Sequence, residues 1–300
     1  MENGKSSYAF RRSVSQLRTM RSCGQKWLLQ YGHGWRPLKN RGTYAFGDTM
    51  QAVADGIVTG AITEGATAAD TFRRLWKPYE TAADRTWTQR GPWKLLNDRG
   101  AVLAELMADE LPTRIEVPSA TPPRLNERLE FQVGSVSMLG LPDYYLRMQQ
   151  RDAQGIWQPA IVPTVLDAKT SDRDYNPLSA ELDDQLTMYQ IGEESKGRPV
   201  DQLGLMVLIY AAQPRIQWLL VPARTAAEKA AFVADVEATD QSIRAEQFPR
   251  NSRACFTMGE CQNVPLCYPS QRGRVAVELV QTPREGMVDL AALDAWGMED

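Results

Sequence analysis

The chain has 300 residues, 43 % of them hydrophobic, with a net charge of −3. This composition is typical of a globular protein that buries a core as one large domain or two modest ones, and it gives no overall attraction to nucleic acid. The longest apolar run, residues 203–212, is about half as long as a membrane span, so we expect no transmembrane helix and no membrane partner.

The first predicted element is a helix over residues 13–31. Its first residues, SVSQ, have the form of a capping box, and apolar residues follow at helical spacing. Cys23 lies inside this predicted helix. Up to Arg41 the only acid is Glu2, so the segment is either an anion-binding surface or a set of solvated charges.

The rest of the first third is predicted to be helical. After the proline-rich sequence VPSATPPRL the helical pattern gives way to sequences typical of strands. Helices are expected over residues 46–58, 68–79 and 93–111. Strands are expected over residues 127–133, 135–139, 143–149, 160–170, 203–211 and 215–223, with helices over residues 177–192 and 225–246. This order predicts an α/β core. An amphipathic helix over residues 287–298 would either bind a partner or dock on this core, and docking is the commoner use of such a face.

A carboxylate and an amine are expected side by side on one strand. Asp167 and Lys169 are two residues apart, so they project from the same face. The carboxylate could bind a hard divalent cation, and the amine could orient or deprotonate water or neutralise phosphate charge. Taken alone, the pair is equally consistent with a surface ion pair.

Three further polar residues could join this pair. Asp143 follows a turn at the start of the strand that should pair with the strand of Asp167, so the two carboxylates could share a metal ion. Gln185 and Tyr189 are four residues apart on a helix and face the same way. They could contact a phosphate or the attacking water, or they could be the polar face of an amphipathic helix.

The four cysteines are unevenly placed, because Cys23 is far from Cys255, Cys261 and Cys267. The first residues have no apolar stretch typical of a secretory signal, so we expect a cytoplasmic protein in a reducing compartment. A tight cysteine cluster there more often binds metal than forms disulfides. Zinc and iron–sulfur ligation both remain open, although no Cys-x-x-Cys spacing typical of structural zinc is present.

The order Asp, Asp-x-Lys and Gln-x-x-x-Tyr on strand, strand and helix resembles the RecB-like branch of the PD-(D/E)XK nuclease superfamily. The resemblance covers residues 13–46 and 127–267, and it includes SQLRTMRSCGQKWLLQY and YAFGDTMQ. It implies an α/β fold with a restriction-endonuclease-like core, in which helices flank a mixed central sheet, and an N-terminal helical region.

The resemblance also implies a role for each candidate residue. Asp143, Asp167 and the backbone carbonyl of Ala168 would bind Mg²⁺ or Mn²⁺, Lys169 would position or activate water, and Gln185 and Tyr189 would hold the scissile phosphate or the bound strand. Gln51 stands where family members usually have a histidine ligand. Its carbonyl could still accept the metal or a bound water, but more weakly than imidazole.

In relatives similar to AddB and to the CRISPR-associated RecB-like exonucleases, one cysteine before the core and three after it ligate a 4Fe-4S cluster. The resemblance implies that Cys23, Cys255, Cys261 and Cys267 do so here, as a staple between the two ends of the chain. Both gaps in the cysteine trio are five residues, whereas the family's first gap is two. The expected regions are 1–126, helical with the first cysteine; 127–250, the nuclease core; 251–270, the cysteine segment; and 271–300, the tail.

The implied function is a metal-dependent DNA exonuclease that trims ends, prefers single strands and favours 5′ to 3′ digestion. It would act in recombination, repair or phage DNA metabolism, in the cytoplasm of the cell or phage host, with a helicase or recombinase supplying the DNA end. Trp27, Trp35 and Tyr44 are suited to contacting bases, but each of these aromatics taken alone is more often a core residue. The alternative is a catalytically weakened DNA-binding or recombination-accessory protein on the same fold, which Gln51 favours.

Overall fold

A computed structural model of the chain describes residues 11–88, 91–116, 123–152, 154–256, 261–268, 270 and 278–282. The helices are α1 Val14–Ser22, α2 Gly24–Trp27, α3 Gly42–Val58, α4 Gly65–Trp76, α5 Trp93–Arg114, α6 Asp184–Ser195, α7 Ala226–Arg244 and α8 Val264–Cys267. The strands are β1 Trp35–Pro37, β2 Asn40–Arg41, β3 Arg85–Thr86, β4 Arg124–Leu125, β5 Leu129–Val133, β6 Val136–Gly140, β7 Tyr144–Arg151, β8 Trp157–Ser171, β9 Gln202–Ile209, β10 Arg215–Pro222 and β11 Leu279–Gln281.

The chain divides into two compact units. The first comprises Met1–Leu38, Glu130–Leu139 and Ala230–Asp300, and the second comprises Lys39–Leu129 and Gly140–Lys229. The predicted C-terminal helix over residues 287–298 lies outside the described residues. In the part of the chain that the structure describes, no helix is both long and apolar enough to cross a membrane.

The second unit is built on a five-stranded mixed sheet of order β10-β9-β8-β7-β4. Only the β8–β9 pair is parallel, and α6 makes the connection between these two strands. Every residue of β9 is buried, as expected for a central strand covered on both faces. The α/β fold with a mixed sheet that the sequence predicted is therefore confirmed.

The strands β5 and β6 form a separate two-stranded sheet and are not part of the five-stranded sheet. Gly134 has a φ of 56°, which permits the tight turn between these two strands. The other edge of β6 is occupied by Arg12, whose N–H donates to the Ser137 carbonyl at 2.9 Å and whose carbonyl accepts from Leu139 at 2.8 Å. In the main sheet the place beside β7 is taken by β4.

The helices α3, α4 and α5 share one apolar core with the sheet of the second unit. Phe46 of α3 lies at its centre, with ring centroids 5.9 Å from Phe72, 5.7 Å from Trp76 and 5.3 Å from Tyr210. Buried aromatic pairs of this geometry add to the stabilisation from area alone. This packing fixes the position of α3 and of the polar side chains that it carries.

The first unit corrects the prediction of one long helix over residues 13–31. Ser13 does form the predicted capping box with Gln16. However, α1 ends at Ser22, and Cys23 is extended, with φ −165° and ψ 112°. The residue after the break is glycine, and a Cβ on Gly24 would lie 2.7 Å from the Phe248 Cα, so the close approach of Phe248 requires a glycine here.

Arg12 of the basic N-terminal segment and Trp27, one of the candidates for contacting bases, are both buried. Arg12 is fully buried, and its Nε lies 2.6 Å from Asp240 Oδ1. Trp27 is also fully buried and stacks on Phe248 with centroids 5.4 Å apart. An arginine that neutralises a buried aspartate is not available to a phosphate, so the basic charge of the N-terminal segment is partly structural.

Candidate active site

Two carboxylates meet where β7 begins beside β8. The antiparallel register pairs Tyr144 with Leu166, so Asp143 lies opposite Asp167 on the neighbouring strand. Beyond this point β8 has no β7 partner, and Asp143 Oδ2 accepts the otherwise unpaired N–H of Ala168 at 2.7 Å. In an antiparallel pair the N–H and C=O of one residue point to the same side, so the Ala168 carbonyl faces this edge as well.

Burial and the short distance between the two carboxylates shift the pKa of Asp143. Burial raises the pKa of Asp143 to about 7, and the neighbouring Asp167 carboxylate adds to the shift. Asp167 is itself almost fully buried. Two buried carboxylates and an adjacent carbonyl form a set of oxygen donors that fits a hard divalent cation such as Mg²⁺ or Mn²⁺.

Lys169 projects from the same face as Asp167, as the spacing predicts, and its Nζ lies 2.5 Å from Asp167 Oδ2. Burial alone would lower the pKa of Lys169, but the Asp167 and Asp143 carboxylates outweigh it and the net shift is upward. The side chain is therefore an ammonium at neutral pH. In this state it can orient water or neutralise phosphate charge, but it cannot accept a proton.

Gln185 and Tyr189 reach the same site from α6. Asp183 caps this helix by accepting the N–H groups of Gln185 and Leu186. The Gln185 Nε2 donates to Asp167 Oδ1 at 3.1 Å and to the Tyr189 hydroxyl at 2.7 Å. The Tyr189 hydroxyl in turn donates to the Leu141 carbonyl at 2.8 Å.

The chain passes close to Tyr189 at Gly140, where a side chain would crowd its neighbours. A Cβ on Gly140 would lie 3.1 Å from Tyr189 Cε1 and 3.1 Å from Met188 Cε. The absence of this Cβ lets α6 approach the segment that carries Leu141 and Asp143. Burial also raises the pKa of the Tyr189 phenol, so this group remains a hydrogen-bonding hydroxyl at neutral pH.

These side chains line one open pocket of about 410 Å³. Gln51 and Tyr44 of α3 form its other wall, and Tyr44 is 60 % exposed. Of the residues that the sequence predicted for the catalytic site, the pocket brings together Asp143, Asp167, Ala168, Lys169, Gln185 and Gln51. Tyr189 joins them through its hydrogen bond with Gln185.

Two residues behind Gln51 were not predicted. Asp55 and Tyr144 both accept hydrogen bonds from the Gln51 amide nitrogen. The spacing of Gln51 and Asp55, four residues apart on a helix, could have indicated the first contact. Tyr144 gave no such signal, because it adjoins Asp143 in sequence and alternation would place it on the other face of the strand.

The four cysteines are described within the first unit, as free thiols that line one cavity of about 20 Å³. Burial raises the pKa of the Cys267 thiol to about 11, and the nearby Cys261 adds to the shift. Among the described residues, no three histidine, cysteine, aspartate or glutamate side chains are arranged to hold a metal ion. Thiol donors suit zinc or iron, but a cavity of this size holds about one water molecule, so a four-iron cluster requires the cavity walls to move apart.

Comparisons with known proteins identify the class to which this site belongs. The sequence matches the model of the PD-(D/E)XK nuclease superfamily over residues 11–268. Because the match spans most of the sequence, the chain belongs to that superfamily. Nucleases of this superfamily use divalent metals such as Mg²⁺, and the family implies DNA as the substrate.

Two solved structures are also similar to the chain. One is a "Putative exonuclease" from Eubacterium rectale, with a TM-score of 0.49 and 13 % identity, covering 98 % of this chain and 96 % of that chain. The other is SSO0001, with a TM-score of 0.29 and 14 % identity, covering 67 % of this chain and 85 % of that chain. A search of curated protein sequences gave no significant match. Both TM-scores are low, and the family assignment rests on the sequence match.

Proposed function

We propose that the protein is a divalent-metal-dependent DNA exonuclease of the RecB-like branch of the superfamily. The observation that carries the proposal is the meeting of Asp143, Asp167, Lys169 and Gln185 in one open pocket. Phosphodiester hydrolysis by a metal-dependent enzyme requires carboxylates that bind the cation and, close to them, polar groups such as an ammonium and an amide.

Each group has a separate part in the proposed reaction. Asp143, Asp167 and the Ala168 carbonyl, with Gln51, would hold the cation, which when bound activates water and stabilises phosphoryl charge. The water oxygen would bond to phosphorus and release a proton to the surrounding water, the bond from phosphorus to the leaving oxygen would break, and that oxygen would take up a proton from the surrounding water. Lys169 and Gln185, which contact Asp167 in this structure, are the side chains able to turn toward the scissile phosphate.

Digestion of end-labelled DNA tests the proposal. Linear single- and double-stranded DNA, labelled at either end, would be incubated with Mg²⁺, Mn²⁺ or EDTA, beside Asp167→Asn and a covalently closed single-stranded circle. We expect cation-dependent loss of the linear single strand by the unaltered protein only, with the 5′ label released first. Cleavage of the circle at the same rate would show an endonuclease.

A second candidate function is a catalytically weakened DNA-binding or recombination-accessory protein, favoured by the weaker ligand Gln51. It would replace the exonuclease if the protein bound DNA tightly but cut none with either cation. Gln51→His would then be the first substitution to examine, because imidazole is the stronger metal ligand.

The exposed ring of Tyr44 supports a preference for single strands. An exposed aromatic on the wall of the pocket can stack on an unpaired base, at about 1–3 kcal/mol per base. We predict that Tyr44→Ala weakens binding of a single-stranded oligonucleotide about tenfold and of a duplex much less, measured by fluorescence anisotropy in EDTA. The control is Phe256→Ala, since Phe256 is 74 % exposed but does not line the pocket. Equal losses for both substitutions would contradict a specific role of Tyr44.

For the cysteines, we propose the 4Fe-4S cluster that the resemblance implies, serving as a structural staple. The four thiols lining one cavity support a shared ligand. Protein purified without oxygen should be brown, and Cys255→Ser should lower its melting temperature by about 5 °C or more. Binding of Mn²⁺ by that variant should stay unchanged. A colourless protein with one equivalent of zinc would show that the metal is zinc, and an unchanged melting temperature would contradict the staple.

A further inference from the structure

A cluster of hydrogen bonds joins Gln51 to Asp55 and Tyr144, two residues that do not line the pocket. The Gln51 Nε2 donates to the Tyr144 hydroxyl at 2.7 Å and to Asp55 Oδ1 at 3.0 Å. The Tyr144 hydroxyl donates to the same Asp55 oxygen at 2.9 Å. The second Asp55 oxygen, Oδ2, accepts from Asn126 Nδ2 at 2.9 Å.

The directions of these bonds determine how the Gln51 amide can lie. A carboxylate can only accept hydrogen bonds, and the single proton of the Tyr144 hydroxyl is given to Asp55. Both partners of the Gln51 nitrogen therefore act as acceptors. If the amide were reversed, its oxygen would face the Asp55 carboxylate, which has no proton to donate, and the Tyr144 hydroxyl could donate to that oxygen only by giving up its hydrogen bond to Asp55. The network therefore favours the orientation in which the Gln51 nitrogen faces Asp55 and Tyr144.

This orientation has a consequence for the pocket. With the Gln51 nitrogen tied to Asp55 and Tyr144, the carbonyl oxygen is the part of the amide left for the pocket that Gln51 lines. An oxygen there attracts a cation, whereas an N–H₂ group would repel it. An added amide oxygen also keeps the donor set entirely oxygen, which suits Mg²⁺ or Mn²⁺ better than zinc.

We propose that Asp55 and Tyr144 are positioning residues, which lock the Gln51 amide with its oxygen toward the carboxylate pair and thereby make glutamine an effective metal ligand. This inference rests on the proposed metal site of the nuclease. It adds to that site two residues that touch neither the cation nor the DNA. Tyr144 acts through Gln51. Asp55 acts through Gln51 and also, by its negative charge, on Asp143.

Binding of Mn²⁺ to the full chain without DNA, measured by isothermal titration calorimetry at pH 8, tests the proposal. Asp55→Asn would introduce an N–H₂ group able to donate to the Gln51 oxygen, so the reversed amide becomes acceptable. We expect its dissociation constant for Mn²⁺ to rise about tenfold, as is usual for residues that orient a ligand. Tyr144→Phe, which changes no charge, should raise it about threefold to tenfold.

The matched control is Asn126→Gly, because Asn126 has a φ of 51°, a backbone conformation that glycine adopts without strain. It removes the hydrogen bond to the other Asp55 oxygen but alters neither the charge of Asp55 nor the partners of Gln51. Its dissociation constant for Mn²⁺ should stay within about twofold of the unaltered protein, and a tenfold rise would overturn the proposal by showing that any disturbance of Asp55 damages the site.

Repeating both substitutions with Gln51→Ala separates orientation from charge. Without the Gln51 amide, Tyr144→Phe should not change the dissociation constant for Mn²⁺. Asp55→Asn should then raise that constant only by the amount due to its lost negative charge. Equal effects with and without Gln51 would overturn the inference while leaving the metal site intact. An unaltered protein that bound no Mn²⁺ would overturn the proposed metal site and the inference together. If Asp55→Asn failed to fold, the Tyr144→Phe pair would decide the question.

Discussion

Replacement of Lys169 with methionine should lower the rate constant of DNA cleavage at least about hundredfold, the usual cost of removing a charged group that acts on the transition state. Methionine keeps the length of the side chain but loses the ammonium that lies 2.5 Å from Asp167. The loss should fall on the chemical step and not on DNA binding. Single-turnover digestion at saturating Mn²⁺ measures that step directly.

The matched control is Lys229→Met. Lys229 also makes an ion pair, 2.6 Å from Glu194, and its exposed fraction of 27 % is close to the 29 % of Lys169, but it lies outside the pocket. Its loss should leave cleavage within about twofold of the unaltered protein.

Lys169→Arg distinguishes an amine that acts by its positive charge from one that accepts a proton. The charge is kept but no proton can be taken up at ordinary pH, so partial recovery would agree with an ammonium that positions and neutralises. A Lys169→Met protein that cut at the normal rate would contradict our assignment of the site.

The strand-borne part of the site could be predicted from the sequence because it follows from local geometry. Residues two apart on a strand share a face, which placed Lys169 beside Asp167. Residues four apart on a helix share a face, which placed Gln185 beside Tyr189. Pairing of two consecutive strands then brought Asp143 opposite Asp167.

The features of the fold that the sequence did not predict depend on contacts between residues that are distant in sequence. The helix break at Cys23 lies beside the close approach of Gly24 to Phe248, a contact between distant residues that helical periodicity does not indicate. The burial of Arg12 comes from Asp240, 228 residues further along the chain. The separate β5–β6 hairpin reflects competition for strand edges, which strand propensity alone does not decide.

The pocket should also show a pH dependence that originates in Asp143. Its pKa is about 7 in the folded protein, against an ordinary value of 3.8, chiefly because the carboxyl is buried and secondly because Asp167 is near. Between these two pH values the folded chain holds a proton that the unfolded chain has released. The stability of the metal-free protein should therefore fall as the pH rises from about 4 to 7.

Binding of a cation should reverse this trend, because the bound metal compensates the charges of both carboxylates. We expect Mn²⁺ to raise the melting temperature clearly at pH 8, where Asp143 is ionised, and hardly at all at pH 5.5, where it is protonated. Calorimetric unfolding at both pH values, with and without Mn²⁺, measures the difference. An equal increase at the two pH values would contradict the raised pKa of Asp143.

The variant Asp143→Asn should separate stability from metal binding. Asparagine can still accept the Ala168 N–H through its side-chain oxygen, but it carries no charge into the buried site. The metal-free variant should therefore melt about 5 °C above the unaltered protein at pH 8, lose its stabilisation by Mn²⁺ and cut no DNA. Asp109→Asn, at an exposed position of α5, should do none of these. We expect the gain in stability and the loss of metal binding to occur together, because the two carboxylates destabilise the metal-free protein but are both needed to bind the cation.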